Sequence, residues 1–178
     1  MTKNKKGFTI IEVVLVLAIA GLIFLMVFIA LPALQRSQRN TRRRQDMARI
    51  LSAFTEYQSN VGHMPETADD MDDFVDKYVN GGGSQGARMK RGMSEGDRQC
   101  YGDQFCDPDG TPYSMGTPAP VAVGGTATFG ESFNHNIGYY NNAKCSQTEG
   151  QAEYASGKAS IALFYTLEGG AIYCGDNQ

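Results

Sequence analysis

The residue that most needs a chemical explanation is Glu12, a carboxylate placed directly before nineteen residues, 13–31, with no charged or strongly polar side chain. At mid-bilayer such a charge costs about 2.5–3.5 kcal/mol on insertion scales, and less near the end of a span. Glu12 therefore either reaches headgroups or meets a cation. Just upstream lie Lys3, Lys5, Lys6, Gly7 and Phe8. Gly7 has no side chain, so it leaves the backbone beside Phe8 unobstructed. The lysines hold that end in the cytoplasm by the positive-inside rule. Other groups capable of chemistry lie far downstream. Cys100, Cys106, Cys145 and Cys174 form no CxxC pair, and with only His63 and His135 beside them a zinc site is not supported. An even cysteine count in an exported region points to disulfides, with three pairings open. Asp103, Asp107 and Asp109 raise the question of calcium. An EF-hand register would put Phe105 at the first ligand and Gly116 at the closing glutamate, so calcium is left only another loop geometry. The alternative for that loop is a Pro/Asp/Gly turn held by its own backbone bonds. No HExxH, G-x-S-x-G or phosphate loop is present, which argues against an enzyme.

These residues need elements to hold them. As a helix, residues 13–31 span about 28 Å, close to the hydrocarbon thickness of a bilayer. A lysine-rich start before an apolar run is a cleavable signal or an anchor. Ordinary signal peptidase needs small residues after the run, and Pro32-Ala33-Leu34-Gln35 offers no such site. Beyond the run the charge separates into blocks. Residues 36–49 carry six arginines against Asp46, a net of +5, and everything from Ile50 onward carries a net of −10, within a chain total of −3. An acidic head does not favour nucleic acid as its partner.

The stretch Lys5-Lys6-Gly7-Phe8-Thr9-Ile10-Ile11-Glu12, followed by its apolar run, resembles the type IV pilins and type II secretion pseudopilins, and the resemblance covers residues 1 to about 35. It implies a class III signal peptide, with cleavage between Gly7 and Phe8 by a prepilin peptidase that also N-methylates Phe8. It further implies that Glu12 pairs with the Phe8 amine of a neighbouring subunit. Gly21 stands where the family helix carries a glycine. Pro32, expected to kink the helix, comes three residues later than the family pattern. Residues 57–65 resemble the segment where major pseudopilins leave the long helix, and Asp107-Pro108-Asp109-Gly110-Thr111-Pro112-Tyr113 looks like a turn of those proteins.

Residue spacing organises the remainder. Met47, Ile50, Leu51 and Phe54 form an amphipathic stripe that continues the helix to about Ser59, where Gly62 and Pro65 stop it. A second helix is expected over 68–79 with Thr67 as its N-cap. Strands are expected over 121–129, 137–140 and 160–167, the last with Ile161, Leu163, Tyr165 and Leu167 on one face and a hairpin back into 171–174. The expected fold is α+β, a long helix packed on a small antiparallel sheet. Its parts are a basic leader 1–7, a transmembrane and filament-core helix 8–34, an amphipathic continuation 35–60 and an extracytoplasmic head 61–178.

The expected function is that of a structural subunit of a type IV pilus or pilus-like filament. The alternatives are a secretion pseudopilin, or a minor pilin serving as adhesin or DNA receptor through Arg88, Lys90 and Arg91. Expected partners are the peptidase/methyltransferase, copies of itself and other pilins in a helical filament, and an inner-membrane assembly platform. Before assembly the chain is expected to cross the cytoplasmic membrane once, N-terminus inside, and afterwards to sit in a surface or periplasmic filament. The local disulfide pairing, Cys100 with Cys106 and Cys145 with Cys174, is expected because it clips a small loop and staples the final hairpin. Arg36, Arg39 and Arg43 share a helical face with Met47, Ile50 and Phe54. Lying below the head, they are expected to be exposed in the monomer and to meet the acidic head of another subunit.

Overall fold

A computed structural model describes residues 7–79, 90–91, 106–115, 119–129, 136–156 and 160–178. Lys3, Lys5, Lys6, Arg88, Cys100, Asp103 and His135 lie outside these, as do the side chains of Lys90 and Arg91. Helix α1 (Ile10–Val61) is continuous through Pro32, which lacks the N–H that would bond the Phe28 carbonyl. The chain divides into two compact units, Met1–Gln38 and Arg39–Gln178.

In the first unit, α1 is long and apolar enough to cross a membrane, and none of that span is buried by the protein itself. Phe8, Ile10, Leu17, Phe24, Phe28 and Leu34 are all exposed. A core helix of a soluble protein buries such side chains, so this surface requires lipid or other chains as its solvent.

In the second unit, Arg43, Met47, Ile50, Ala53, Phe54 and Tyr57 form the buried stripe of α1. Their three- and four-residue spacing keeps them on one side of the helix. Phe54 stacks on Phe74 with ring centroids 4.0 Å apart and also meets Tyr139. Burying a side chain of this size stabilises by about 1.5–3 kcal/mol. Gly62, at φ 90°, ends α1 in the left-handed conformation glycine tolerates, and its N–H bonds the Gln58 carbonyl. Helix α2 (Ala68–Phe74) starts at Thr67, whose hydroxyl accepts from Asp70 N–H while Asp70 accepts from Thr67 N–H. This reciprocal capping box confirms the expected start. The expected helix to residue 79 ends differently, as a π-helical turn, Val75–Val79.

Strands β1 (Lys90–Arg91), β2 (Ser114–Met115), β3 (Ala119–Pro120), β5 (Asn136–Asn141), β8 (Ile161–Thr166) and β9 (Ile172–Asp176) form one sheet, in the order β1-β2-β5-β8-β9 with β3 also on β5. The pairs β5/β8 and β8/β9 are antiparallel, whereas the short strands at the other end pair in parallel. Strands β4 (Thr126–Thr128), β6 (Ala143–Cys145) and β7 (Gln151–Tyr154) make a second, antiparallel sheet. The fold is α+β, as expected. The one-sided burial expected of β8 is corrected. Ile161, Leu163 and Tyr165 pack with the α1 stripe, but Ala162 and Phe164 are equally buried against Val121, Phe129, Ala143 and Ala152 under the second sheet. Of the expected strand over 121–129 only β4 forms, because Gly124 and Gly125 turn the chain, with Gly125 N–H bonded to the Ala122 carbonyl.

Candidate functional site

At the N-terminal end, Gly7, Phe8 and Thr9 precede the helix and are exposed, Phe8 at 89 %. Among the described residues beyond its chain neighbours, no atom lies within 4 Å of where a Gly7 side chain would begin. The Gly7-Phe8 bond thus sits in an open, non-helical segment next to a helix start. Glu12 Oε2 accepts from the Thr9 N–H and from the Thr9 hydroxyl, each at 2.8 Å. Its carboxylate folds back over the first turn, satisfying a backbone donor that a helix start leaves without a partner. The pattern Thr-x-x-Glu was readable in the sequence, and the capping role was missed beside the more conspicuous membrane charge. Gly21 lies within α1 with open space around it.

The second cluster lies inside the Arg39–Gln178 unit. Arg43, only 4 % exposed, donates from Nε and Nη2 to the two carboxylate oxygens of Asp107, both at 2.6 Å. Its Nη1 lies 3.1 Å from Glu168 and bonds Asn40 Oδ1 at 3.3 Å, and its Nη2 is 3.6 Å from Asp109. Tyr165 donates its hydroxyl to Asp107, and Asp109 N–H bonds the other oxygen of the same carboxylate. Arg39 forms a two-point contact with Glu168, at 2.5 and 2.8 Å. Asn40 Nδ2 donates to the Glu168 carbonyl and Asn40 Oδ1 accepts from its N–H. One turn of α1 on, Asp46 accepts from the Tyr113 hydroxyl at 3.0 Å.

Electrostatics follow from this geometry. Burial pushes the Asp107 carboxyl up, but the bonds from Arg43 and Tyr165 outweigh it and leave it below the usual aspartate range. Burial lowers the Arg43 guanidinium, and the Asp107 carboxylate more than reverses that. Asp46 is pushed above the ordinary range by burial, although the Tyr113 hydroxyl pulls the other way.

The expected exposure of the arginine stripe is thereby corrected for two of its three members. Arg43 is buried, and Arg39 is held by Glu168. The helical face was rightly identified, but its cover comes from loops 64 and 129 residues further along the chain. Arg36 lies in the other unit and is exposed. The Asp107 turn is held by its own backbone, with Asp107 N–H to the Thr111 carbonyl and Gly110 N–H to the Asp107 carbonyl, and by Arg43. Among the described residues no three acidic, histidine or cysteine side chains converge to hold a metal.

Cys145–Cys174 is a disulfide joining β6 to β9, with Cα atoms 5.9 Å apart. Cys106 is also disulfide-bonded.

Residues 2–28 match the family model described as the prokaryotic N-terminal methylation motif. No curated protein and no solved structure matches the chain. The matched span holds the three lysines, the Gly7-Phe8 bond, Glu12 and most of the exposed apolar helix. The chain therefore carries the class III signal peptide of type IV pilins and pseudopilins.

Proposed function

We propose that the chain is a structural subunit of a type IV pilus or pilus-like filament. In this reading a prepilin peptidase cleaves between Gly7 and Phe8 and the new Phe8 amine is methylated. The observation that carries it is the methylation motif in register with an open Gly7-Phe8 bond and a helix whose apolar surface the protein leaves uncovered. Before assembly that helix sits in the cytoplasmic membrane with the leader lysines inside. In the filament the same surface is covered by α1 of other subunits. Glu12, which caps its own helix in the uncut chain, exchanges the Thr9 donors for the Phe8 amine of a neighbour once cleavage creates it. The motif marks a substrate of the processing enzyme, not an enzyme. Membership of a secretion pseudopilus is the second reading, supported by the 107–113 turn, which here places Tyr113 and Asp107 in the core. The adhesin or DNA-receptor reading rests on Arg88, Lys90 and Arg91, whose side chains lie outside the described residues.

Intact-mass measurement of protein sheared from cells tests this. The expected chain begins at Phe8 and carries one extra methyl group. Gly7→Leu should leave the leader attached by filling the cleft the glycine enters. A mature N-terminus near Ala33, or full-length protein in filaments, would overturn it.

A further inference from the structure

Residues 36–49 hold six arginines and no lysine, whereas the cations of the leader are all lysines. With the leader in the cytoplasm, the five arginines of 36–44 follow the span on its exported side. That distribution opposes the positive-inside rule, so insertion does not account for it. The head accounts for two of the five, since Arg39 is held by Glu168 and Arg43 by Asp107. Arg36 and, further on, Arg49 also interact within the chain. Arg42 and Arg44 are left. Both are exposed, and among the described residues neither makes a hydrogen bond or an ion pair. Arg42 lies near Asp46, but that carboxylate is half-buried and already accepts from Tyr113.

The helix aims these two side chains apart. Residues 42, 43 and 44 turn by about 100° each along α1. Arg43 points inward to Asp107, so Arg42 and Arg44 leave the helix on its two flanks, about 160° from one another. One face of a folded partner meets one flank. A lipid leaflet surrounds a helix that crosses it and presents phosphates on every side. Side-chain chemistry selects the same partner. A guanidinium forks onto phosphate oxygens, whereas an ammonium is a point charge. Charge balance gives the contact a purpose. The chain from Ile50 onward carries a net of −10 and is repelled by an anionic surface. Cations placed between the span and that acidic region offset the repulsion, which acts within about 10 Å at 0.1 M salt.

Resting on the membrane-anchoring reading, we infer that Arg42 and Arg44 bind the phosphates of anionic phospholipids in the outer leaflet, one on each flank of α1. They follow Leu34 by eight and ten residues, inside the roughly 15–20 residues beside a span in which charge meets the membrane. The contact holds the subunit against the leaflet until it is drawn into a filament.

Native mass spectrometry of the full-length chain in detergent, titrated with dioleoylphosphatidylglycerol or dioleoylphosphatidylcholine, tests this. The parent should retain phosphatidylglycerol in preference to phosphatidylcholine. Arg42→Gln with Arg44→Gln should weaken phosphatidylglycerol binding about tenfold and leave phosphatidylcholine binding unchanged. The leader lysines are common to both chains and cancel in the comparison. Each single variant should lose about threefold, because separate phosphates on separate flanks make the effects multiply. No loss in the double variant overturns the inference, and so does a loss carried wholly by one residue. Millimolar inorganic phosphate at constant ionic strength should leave the lipid bound. Displacement would assign the arginines to free phosphate and overturn the lipid contact. Unchanged phosphatidylglycerol binding with a lower yield of sheared filaments assigns them to a protein neighbour and overturns it too. Tyrosine near-ultraviolet circular dichroism of each chain reports whether its head is folded. If the double variant melts, the single variants carry the test, and the absence of a loss in both overturns the inference. Recovery of the parent in the soluble fraction of cells sinks the membrane-anchoring reading and this contact together. A membrane-bound parent without preference for phosphatidylglycerol sinks the contact alone.

Discussion

Replacing Arg43 with Met keeps an aliphatic stem of similar length and deletes the guanidinium. Asp107 then loses both 2.6 Å bonds and keeps only the Tyr165 hydroxyl and the Asp109 N–H, in a site where its side chain has no solvent exposure. Removing one partner of a buried pair costs about 3–5 kcal/mol, because the remaining charge is left uncompensated. For a head of this size that corresponds to a fall in Tm of about 10–20 °C. The orphaned carboxylate has one escape, which is to take a proton. Burial already pushes the Asp107 carboxyl up, and without Arg43 only the Tyr165 hydroxyl and the Asp109 N–H oppose it, so the loss should be larger at pH 7 than at low pH. Urea unfolding of the full-length protein in detergent, followed by tyrosine near-ultraviolet circular dichroism, reads this directly. The chain has nine tyrosines and no tryptophan, and Tyr113 and Tyr165 flank the site with ring centroids 5.4 Å apart. Arg43→Met with Asp107→Leu should recover much of the loss, since an apolar pair of similar volume tolerates the site. A loss below about 1 kcal/mol, the worth of an exposed pair, would refute the claim that this contact holds the head to α1.

Two further outcomes follow from the same structure. Asp46 has a raised folded pKa, so its contribution is present below the ordinary aspartate value and is lost as pH rises through the raised one. Asp107 has a depressed folded pKa, so its contribution is present above the ordinary value and is lost as pH falls through the depressed one. Head stability should therefore climb as pH is lowered through the raised Asp46 value and collapse below about pH 3.9, and Asp46→Asn should flatten the upper limb alone in denaturant titrations across pH. Cys174→Ser opens a cross-link with a sequence separation of 29 and should cost about 3–4 kcal/mol on the chain-entropy account, measured by the same unfolding assay.

The processing junction was legible because lysines, Gly7, Phe8, Glu12 and an apolar run carry their meaning by local spacing alone. The Thr67 cap and the Gly62 stop were legible for the same reason. The alternation of Ile161, Leu163 and Tyr165 identified β8, but not that its other face is also covered, since Ala162 and Phe164 do not reveal a second sheet by themselves. Strands β6 and β7 were missed. Lys144, Gln151 and Glu153 are poor strand formers, and pairing across the Ser146–Gln151 turn, with Ser146 N–H bonded to the Gln151 carbonyl, makes them strands. The buried arginine was illegible for a stronger reason. Periodicity placed Arg43 on the right face, but only tertiary closure shows that a carboxylate 64 residues away supplies its partner.

The outer edge of β9 has a consequence beyond the stability of the hairpin. Three alternate positions on that strand are already engaged: Ile172 N–H bonds Glu149 at 2.8 Å, Cys174 is tied sideways to Cys145, and the Asp176 carboxylate accepts from Cys145 N–H at 2.7 Å. An exposed strand edge is a template on which another chain can add by backbone pairing. Here side-chain carboxylates and a covalent bond occupy the places where that addition would begin. Heads crowded together at high local concentration are thus kept from fusing strand to strand into aggregates. Reducing Cys145–Cys174 both lengthens a loop and removes the covalent one of these three engagements, so the reduced head should aggregate more readily than the oxidised one at a temperature where both are folded.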